Sequence, residues 1–184
     1  MTASAPGRVV GDKVLTRSIE LPGGLTLRAA RTSDTAFLGE LYASTRADLR
    51  SLADPDLSHT LIELQFRAQT ESYGRDYPDA LHFIIGLHQD RIGRLILDFS
   101  AGRVHVVDIS LIPAARGRGH GAAVLRALQR TAERIGAPVM LAVDRGNGVA
   151  RELYTRLGFC SEGVRGDFHE TLVWWPPALA EASA

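Results

Sequence analysis

Between Ile109 and Gly121 the chain reads Ile-Ser-Leu-Ile-Pro-Ala-Ala-Arg-Gly-Arg-Gly-His-Gly, an apolar strand that runs through a glycine-rich turn into an amphipathic helix. Gly117, Gly119 and Gly121 lie within five residues, so the backbone there can take left-handed dihedrals and bring its N–H groups close to a ligand. The helix that follows leaves its first amides unpaired and turns the positive end of its dipole to the same spot. Such a junction suits an anion, a pyrophosphate above all, with Arg116, Arg118 and His120 as further donors. The plain alternative is a strand-to-helix connector whose arginines are only solvated.

The flanking pattern places this junction in a β-α-β unit. Residues 104–112 are apolar in continuous runs, as in a strand covered on both faces. Ala122, Val124, Leu125, Leu128, Ala132 and Ile135 recur at helical spacing over 117–135, and Gly136 with Pro138 stops that helix. Residues 139–143 form the next strand, parallel to the first.

Upstream, 14–21 and 25–30 read as strands around Pro22-Gly23-Gly24, and Ser33 as the cap of a helix reaching about residue 49. Asp54-Pro55-Asp56 ends that region, and a second helix spans about 58–76. On it Gln65, Gln69 and Tyr73 either face a ligand or belong to a helix that packs plainly on the sheet with exposed glutamines, the reading preferred here. Strands at 80–87 and 93–99 precede the β-α-β unit; a helix at 149–157 and a hairpin of 159–164 with 168–175 follow it. The expected fold is α/β, a single domain over 12–175 with a mixed central sheet of about seven strands and about four helices. Residues 1–11 and the tail 176–184 are expected to be flexible.

With 21 basic and 21 acidic side chains the net charge is zero, which gives no electrostatic case for nucleic acid or an anionic membrane surface. Cys160 is the single cysteine, which rules out an internal disulfide and suits a reducing cytoplasm; its place after Gly158-Phe159 predicts a buried structural thiol. No apolar stretch approaches transmembrane length, and the N-terminal residues lack the pattern of a signal peptide. His59, His82, His88 and His169 are scattered without metal-ligand spacing, so no metal is expected.

The run Arg116-x-x-Gly119-x-Gly121 resembles the Q/R-x-x-G-x-G/A signature of the GNAT superfamily of N-acetyltransferases. Val106 to Pro113 is similar to that family's fourth strand, and Asn147 to Ala150, Tyr154 and Gly158-Phe159 to its downstream pattern, so the resemblance covers roughly residues 80–175. It implies acetyl-CoA as cosubstrate, with the pyrophosphate on Arg116, Gly117, Arg118, Gly119, His120 and Gly121. It also implies two parallel strands splayed beside a bulge, with backbone groups of Ser110, Leu111, Ile112 and Pro113 along the pantetheine arm and an N–H near Leu111 on the thioester carbonyl. Tyr154 occupies the family's general-acid position, and Asn147 combines a helix cap with cofactor contact.

The implied reaction is direct attack by a primary amine of a small molecule or peptide. Asp108, a carboxylate in an apolar strand, is either the base or a member of a structural hydrogen-bond network. His105 is a second candidate, more readily a core or edge histidine. Residues 46–79 and 163–168 would shape the acceptor pocket, where Asp54, Asp56 and Glu63 either attract a cationic amine or form a solvated acidic face. A homodimer is expected for the family, with Trp174 and Trp175 pointing one inward and one outward.

Two other functional classes bear on the same residues. One is an acyl-CoA sensor that binds without transfer. The other is a dinucleotide-binding oxidoreductase, since Gly117-x-Gly119-x-x-Ala122 also fits G-x-G-x-x-G/A, although too little chain follows Asp144 for further β-α-β units.

Overall fold

The computed structural model describes residues 17–166 and 168–181. Eight strands form one sheet: β1 (Ile19–Leu21), β2 (Leu25–Ala29), β3 (Leu81–Leu87), β4 (Asp90–Asp98), β5 (Val104–Leu111), β6 (Val139–Asp144), β7 (Cys160–Arg165) and β8 (His169–Trp174). Their order is β1-β2-β3-β4-β5-β6-β8-β7. Every neighbouring pair is antiparallel except β5 and β6, which the crossover helix α4 (His120–Ile135) joins in parallel. Each of the eight strands corresponds to a segment read as a strand from the sequence, one more than the rounded count of seven, and the three residues of β1 pair with Leu25 to Leu27 across the Pro-Gly-Gly turn. Residues 14–16, read as the start of that strand, lie outside the described residues, as do residues 1–11.

Among the described residues the α-helices number six rather than four. The segment read as one helix from Ser33 breaks into α1 (Thr35–Ala43) and α2 (Ala47–Arg50), because the Ser44 and Thr45 hydroxyls donate back to the carbonyls of Leu41 and Tyr42 and close the turn. Asp54-Pro55 opens a helix where the sequence reading placed an end: Pro55 needs no amide partner at the first position, and the Asp54 carboxylate accepts from the N–H of Asp56 and Leu57. The helix is α3 (Pro55–Asp76). Downstream lie α5 (Gly148–Arg156) and, in the tail expected to be flexible, α6 (Pro177–Glu181).

Each face of the sheet has its own core. Val124, Leu125, Leu128 and Ala132 of α4 form a buried stripe against Leu95, Leu97, Val106 and Leu141, and Gln129 ties α4 to the end of α5 through the Leu157 carbonyl. Across the sheet, Phe37 and Leu41 of α1 pack on Ile84, and Tyr42 meets the ring of Phe66 on α3.

Two irregularities in β5 set up the site. The register with β4 slips between Ile96 and Leu97, opposite Asp108 and Val106, leaving Val107 as a bulge. The parallel register with β6 covers only Val104 to Val106 opposite Val139 to Leu141, while β6 stays paired to β8 as far as Asp144. Beyond the bulge the two central strands therefore diverge.

Away from that opening, Asp34 anchors β2 to α1. Its buried carboxylate takes both Arg28 nitrogens at 2.8 and 2.7 Å, the Arg31 N–H at 2.9 Å and Arg91 at 3.3 Å. Asp34, rather than Ser33, stands at the start of α1, and its side chain caps no helix amide. The hydrogen bonds from Arg28, opposed by burial and reinforced by the Arg31 N–H, hold the carboxyl well below the usual carboxylate range. A depressed carboxyl contributes stability that is present above its unfolded value near 4 and is lost as pH falls toward the folded one. Asp34→Asn is expected to lower unfolding stability at pH 7 by about 1–3 kcal/mol. Urea titrations should show this gap narrowing as pH drops below about 4, and a gap constant to pH 2 would refute the role of the charge.

Candidate active site

A cavity of about 1040 Å³ fills the opening between β5 and β6 and reaches both faces of the sheet. One end is the glycine-rich loop. Gly117 and Gly119 have φ of 70° and 82°, left-handed values that a residue with a Cβ adopts only with strain. Helix α4 starts at His120, and the first loop-to-helix amide bond runs from Ala123 back to Gly119, so the N–H groups of His120, Gly121 and Ala122 are the helix's unpaired donors. They face a cavity wall that also carries Asn147, whose Oδ1 caps α5 by accepting from the Ala150 N–H at 3.1 Å. Arg118 is exposed. Arg116 is turned back: its Nε donates to the Leu111 carbonyl at 2.8 Å and Nη2 to Ser44 Oγ at 3.0 Å, clamping the end of β5 to the end of α1.

The middle of the cavity is the free edge of β5. Ile112 donates to Ile92 and accepts from Ala115, so both of its backbone groups are occupied. Bonded and non-bonded pairs alternate along an antiparallel ladder. Ser110, opposite Arg94, is accordingly bonded to β4, whereas Leu111, opposite Gly93, turns its N–H away from β4 into the opening. Of the four backbones expected along the cofactor, Leu111 is the one with a free donor, since Pro113 has no N–H.

Tyr154 of α5 lines the cavity, only 8% exposed, with its ring edge-on to Phe159. Burial, helped by the negative charge of Asp108, pushes its phenol up to about 12. Asp108 lies at the far end, held by Arg94 Nε at 2.8 Å and by the Ser110 hydroxyl at 3.0 Å. Arg94 also donates to Gln69 Oε1 at 3.0 Å and lies over the Tyr73 ring. Burial, followed by the Asp108 charge, pushes Tyr73 up to about 12 as well, and burial with the positive charge of Arg94 pushes His82 down.

Several side chains stand apart from the sequence reading. Gln69 and Gln65 are half-buried and turned inward, not exposed: Gln69 takes Arg94 of β4, and Gln65 takes Arg46 and the Tyr42 hydroxyl. Asp54 caps α3 and Glu63 pairs with exposed His59 at 3.4 Å; neither they nor Asp56 line the cavity. His105 is buried against Tyr77 and also lies off it. Cys160 is exposed, since β7 is the outermost strand with no neighbour to cover it. Arg94 was missed; a charged residue inside the apolar run Ile92 to Leu97 was the available signal. Among the described residues no three His, Cys, Asp or Glu side chains gather in a metal-binding group, and no helix is long and apolar enough to cross a membrane.

The sheet is thus parted beside a bulge, with the unpaired amides of a helix start at one end of the cavity and a charged pair at the other. The sequence profile of the acetyltransferase (GNAT) family matches residues 46–159, and the chain belongs to that family. Solved structures share the fold. The PaiA N-acetyltransferase of Thermoplasma acidophilum, in complex with coenzyme A, has 18% identity and a TM-score of 0.61 over 82% of this chain and 99% of that one. A ribosomal-protein α-N-acetyltransferase, RimL, also with coenzyme A, gives 20% and 0.61 over 88% and 99%. A spermidine N-acetyltransferase chimera involving Vibrio cholerae SpeG gives 21% and 0.59 over 85% and 98%. The dinucleotide reading falls with this assignment: a doubly wound domain needs successive parallel strands, and β5–β6 is the one parallel pair among the described residues.

Two of the four tyrosines should therefore titrate late. Only the unfolded chain ionises these phenols as pH rises from about 10 to about 12, so stability falls over that window. Absorbance titration at 295 nm (roughly the phenolate band) should show Tyr73 and Tyr154 ionising last, with Tyr154→Phe removing one of the two late steps. All four phenols ionising together near 10 would contradict the burial argument.

Proposed function

We propose that this chain moves an acetyl group from acetyl-CoA to a primary amine of a small molecule or peptide by direct attack within a ternary complex. The observation that carries this reading is the single cavity joining the glycine loop, the free Leu111 N–H, Tyr154 and Asp108 through the sheet. Its two mouths let cosubstrate and acceptor enter from opposite faces and meet, as direct transfer requires.

In this reading the backbone of Gly117 to Gly121 and the first amides of α4 hold the pyrophosphate. The cosubstrate supplies an activated thioester. Leu111 N–H donates to its carbonyl oxygen and strengthens that bond as negative charge develops. Asp108 accepts the proton the amine loses on forming the new C–N bond. Tyr154 gives its proton to the sulfur as the C–S bond breaks. A phenol near 12 is a weak acid for a thiol of ordinary pKa near 8.5, an uphill transfer of about 5 kcal/mol, but burial raises the thiol in the same cavity and narrows the gap.

The single thiol supports a reducing compartment, the cytoplasm in our proposal. A homodimer belongs to it as well, supported by the exposed Val164, Phe168 and Trp175 at one end of the sheet, and light scattering that gives a monomer would remove it.

Thiol release from acetyl-CoA against an amine panel tests the reaction. Tyr154→Phe is expected to lower kcat by roughly 100-fold or more with CoA affinity unchanged, and equal turnover would reject the acid role. Asp108→Asn should lower kcat by roughly 100-fold with CoA affinity unchanged, and equal turnover would dismiss it as base. Saturable CoA binding with no release from any amine would favour the non-catalytic sensor.

A further inference from the structure

Arg94 is the most deeply buried cation bordering the cavity, at 7% exposure. Its Nε is taken by Asp108 and its Nη2 by Gln69. Nη1 has no hydrogen-bond partner among the described residues, yet no buried side-chain nitrogen or oxygen there is orphaned. Nη1 therefore keeps contact with the cavity and offers its N–H groups there. A guanidinium removed from bulk water but short of acceptors favours a ligand oxygen, because an unmet charged donor in a closed site costs more than a neutral one.

The charge count around it narrows the ligand. Apart from Arg94, the polar side chains that α1 with the turn after it, α3 and the second half of β5 bring to the cavity are Tyr42, Thr45, Gln69, Ser110 and Asp108, whereas the cavity's other carboxylate, Asp144, ends β6 beside the Asn147 turn and accepts from the Gly146 N–H. Asp108 is the one carboxylate among them, and Arg94 already balances it. The acids that might attract a polycation, Asp54, Asp56 and Glu63, lie outside the cavity. A second or third ammonium would meet no carboxylate here and would sit near a buried guanidinium, at a Coulombic cost.

We infer that the acceptor is an α-amino carbonyl compound, read by the Arg94–Asp108 pair. Its amine meets the Asp108 carboxylate and its neighbouring oxygen meets the Arg94 Nη1 donors. Donor and acceptor stand side by side in the pair, as acceptor and donor do in the ligand. A free amino acid and the first residue of a peptide share that chemistry. The inference rests on the acyltransferase proposal above, in which Asp108 receives the amine proton, and adds Arg94 as a specificity-determining residue.

The test uses the whole chain with saturating acetyl-CoA and follows thiol release with alanine, an alanyl peptide, ethylamine and spermidine. Rates are compared as kcat/KM per neutral amine, because a peptide α-amino group near 8, the less acidic ammonium of a free amino acid and an alkylamine above 10 differ widely in neutral fraction. Alanine or the alanyl peptide should exceed ethylamine and spermidine by ~10-fold or more, the worth of one charge-assisted hydrogen bond. The stronger of the two identifies the source: a carboxylate favours the free amino acid, a carbonyl the peptide. Arg94→Gln, checked for folding by thermal melting, should erase the ratio mainly through KM, and Arg94→Lys should restore part of it. Spermidine or ethylamine matching the α-amino compounds in the wild type would overturn the inference while leaving the acyltransferase intact. No release with any amine, despite CoA binding, would overturn both.

Discussion

Everything at the site depends on the one extra residue in β5. An inserted residue in an antiparallel ladder bends its strand and increases the local twist. At Val107 this happens just where the parallel partnership with β6 ends, and β6 has β8 on its other side to hold it in place. The strands can therefore part without β6 losing all of its hydrogen bonds. A gap between central strands would ordinarily leave backbone groups unpaired in an apolar interior. Here those groups border a cavity that reaches the surface on both faces, so an open backbone edge is tolerated and is available to a ligand.

The bulge also resets what each side of β5 carries. Before it, Val104, His105 and Val106 are buried; from it onward, all five residues from Val107 to Leu111 are only partly covered. Ile109 and Leu111 pack toward α4, while Asp108 and Ser110 join Arg94 beneath α3. An ion pair at such depth is poor evidence for stability, since desolvation offsets much of its attraction. Its retention on two paired central strands makes better sense as part of a polar wall. Gln69 and Tyr73 descend from α3 to complete that wall, and their placement depends on a helix crossing strands that lie far along the chain.

That distance explains what could be read from the sequence and what could not. The β-α-β unit and its glycine loop were legible because their signals are local: continuous apolar runs, a helical stripe from Ala122 to Ile135, and glycines where φ is positive. The divergence of β5 from β6 left no comparable mark, since Val107 is an ordinary strand residue. Arg94 was hidden because a lone charge in a strand gives no indication of which helix covers it. Gln65 and Gln69 were misread for the same reason, an amphipathic pattern being silent about a cavity beneath the helix. Cys160 failed differently: its local context suits burial, but β8 inserts between β6 and β7 and leaves Cys160 on the edge strand.

Arg116 links the two halves of the cleft. Sequence spacing placed it on the pyrophosphate, yet its guanidinium holds the carbonyl of Leu111 and the hydroxyl of Ser44. Leu111 is the residue whose N–H faces the opening, and Ser44 closes α1 one residue before Thr45 and two after Tyr42, both of which line the cavity. A single side chain beside the glycine loop thus fixes the carbonyl of the peptide unit that follows the Leu111 Cα and the end of the helix that walls the cavity. Planar donors at fixed angles make such a clamp more exacting than a lysine would be, because Nε and Nη2 cannot move independently. The loop's arginine therefore ties the end of β5 to the end of α1, and under the proposed reaction that tie keeps the Leu111 N–H and the α1 side of the cavity in register beside the loop backbone and the α4 amides.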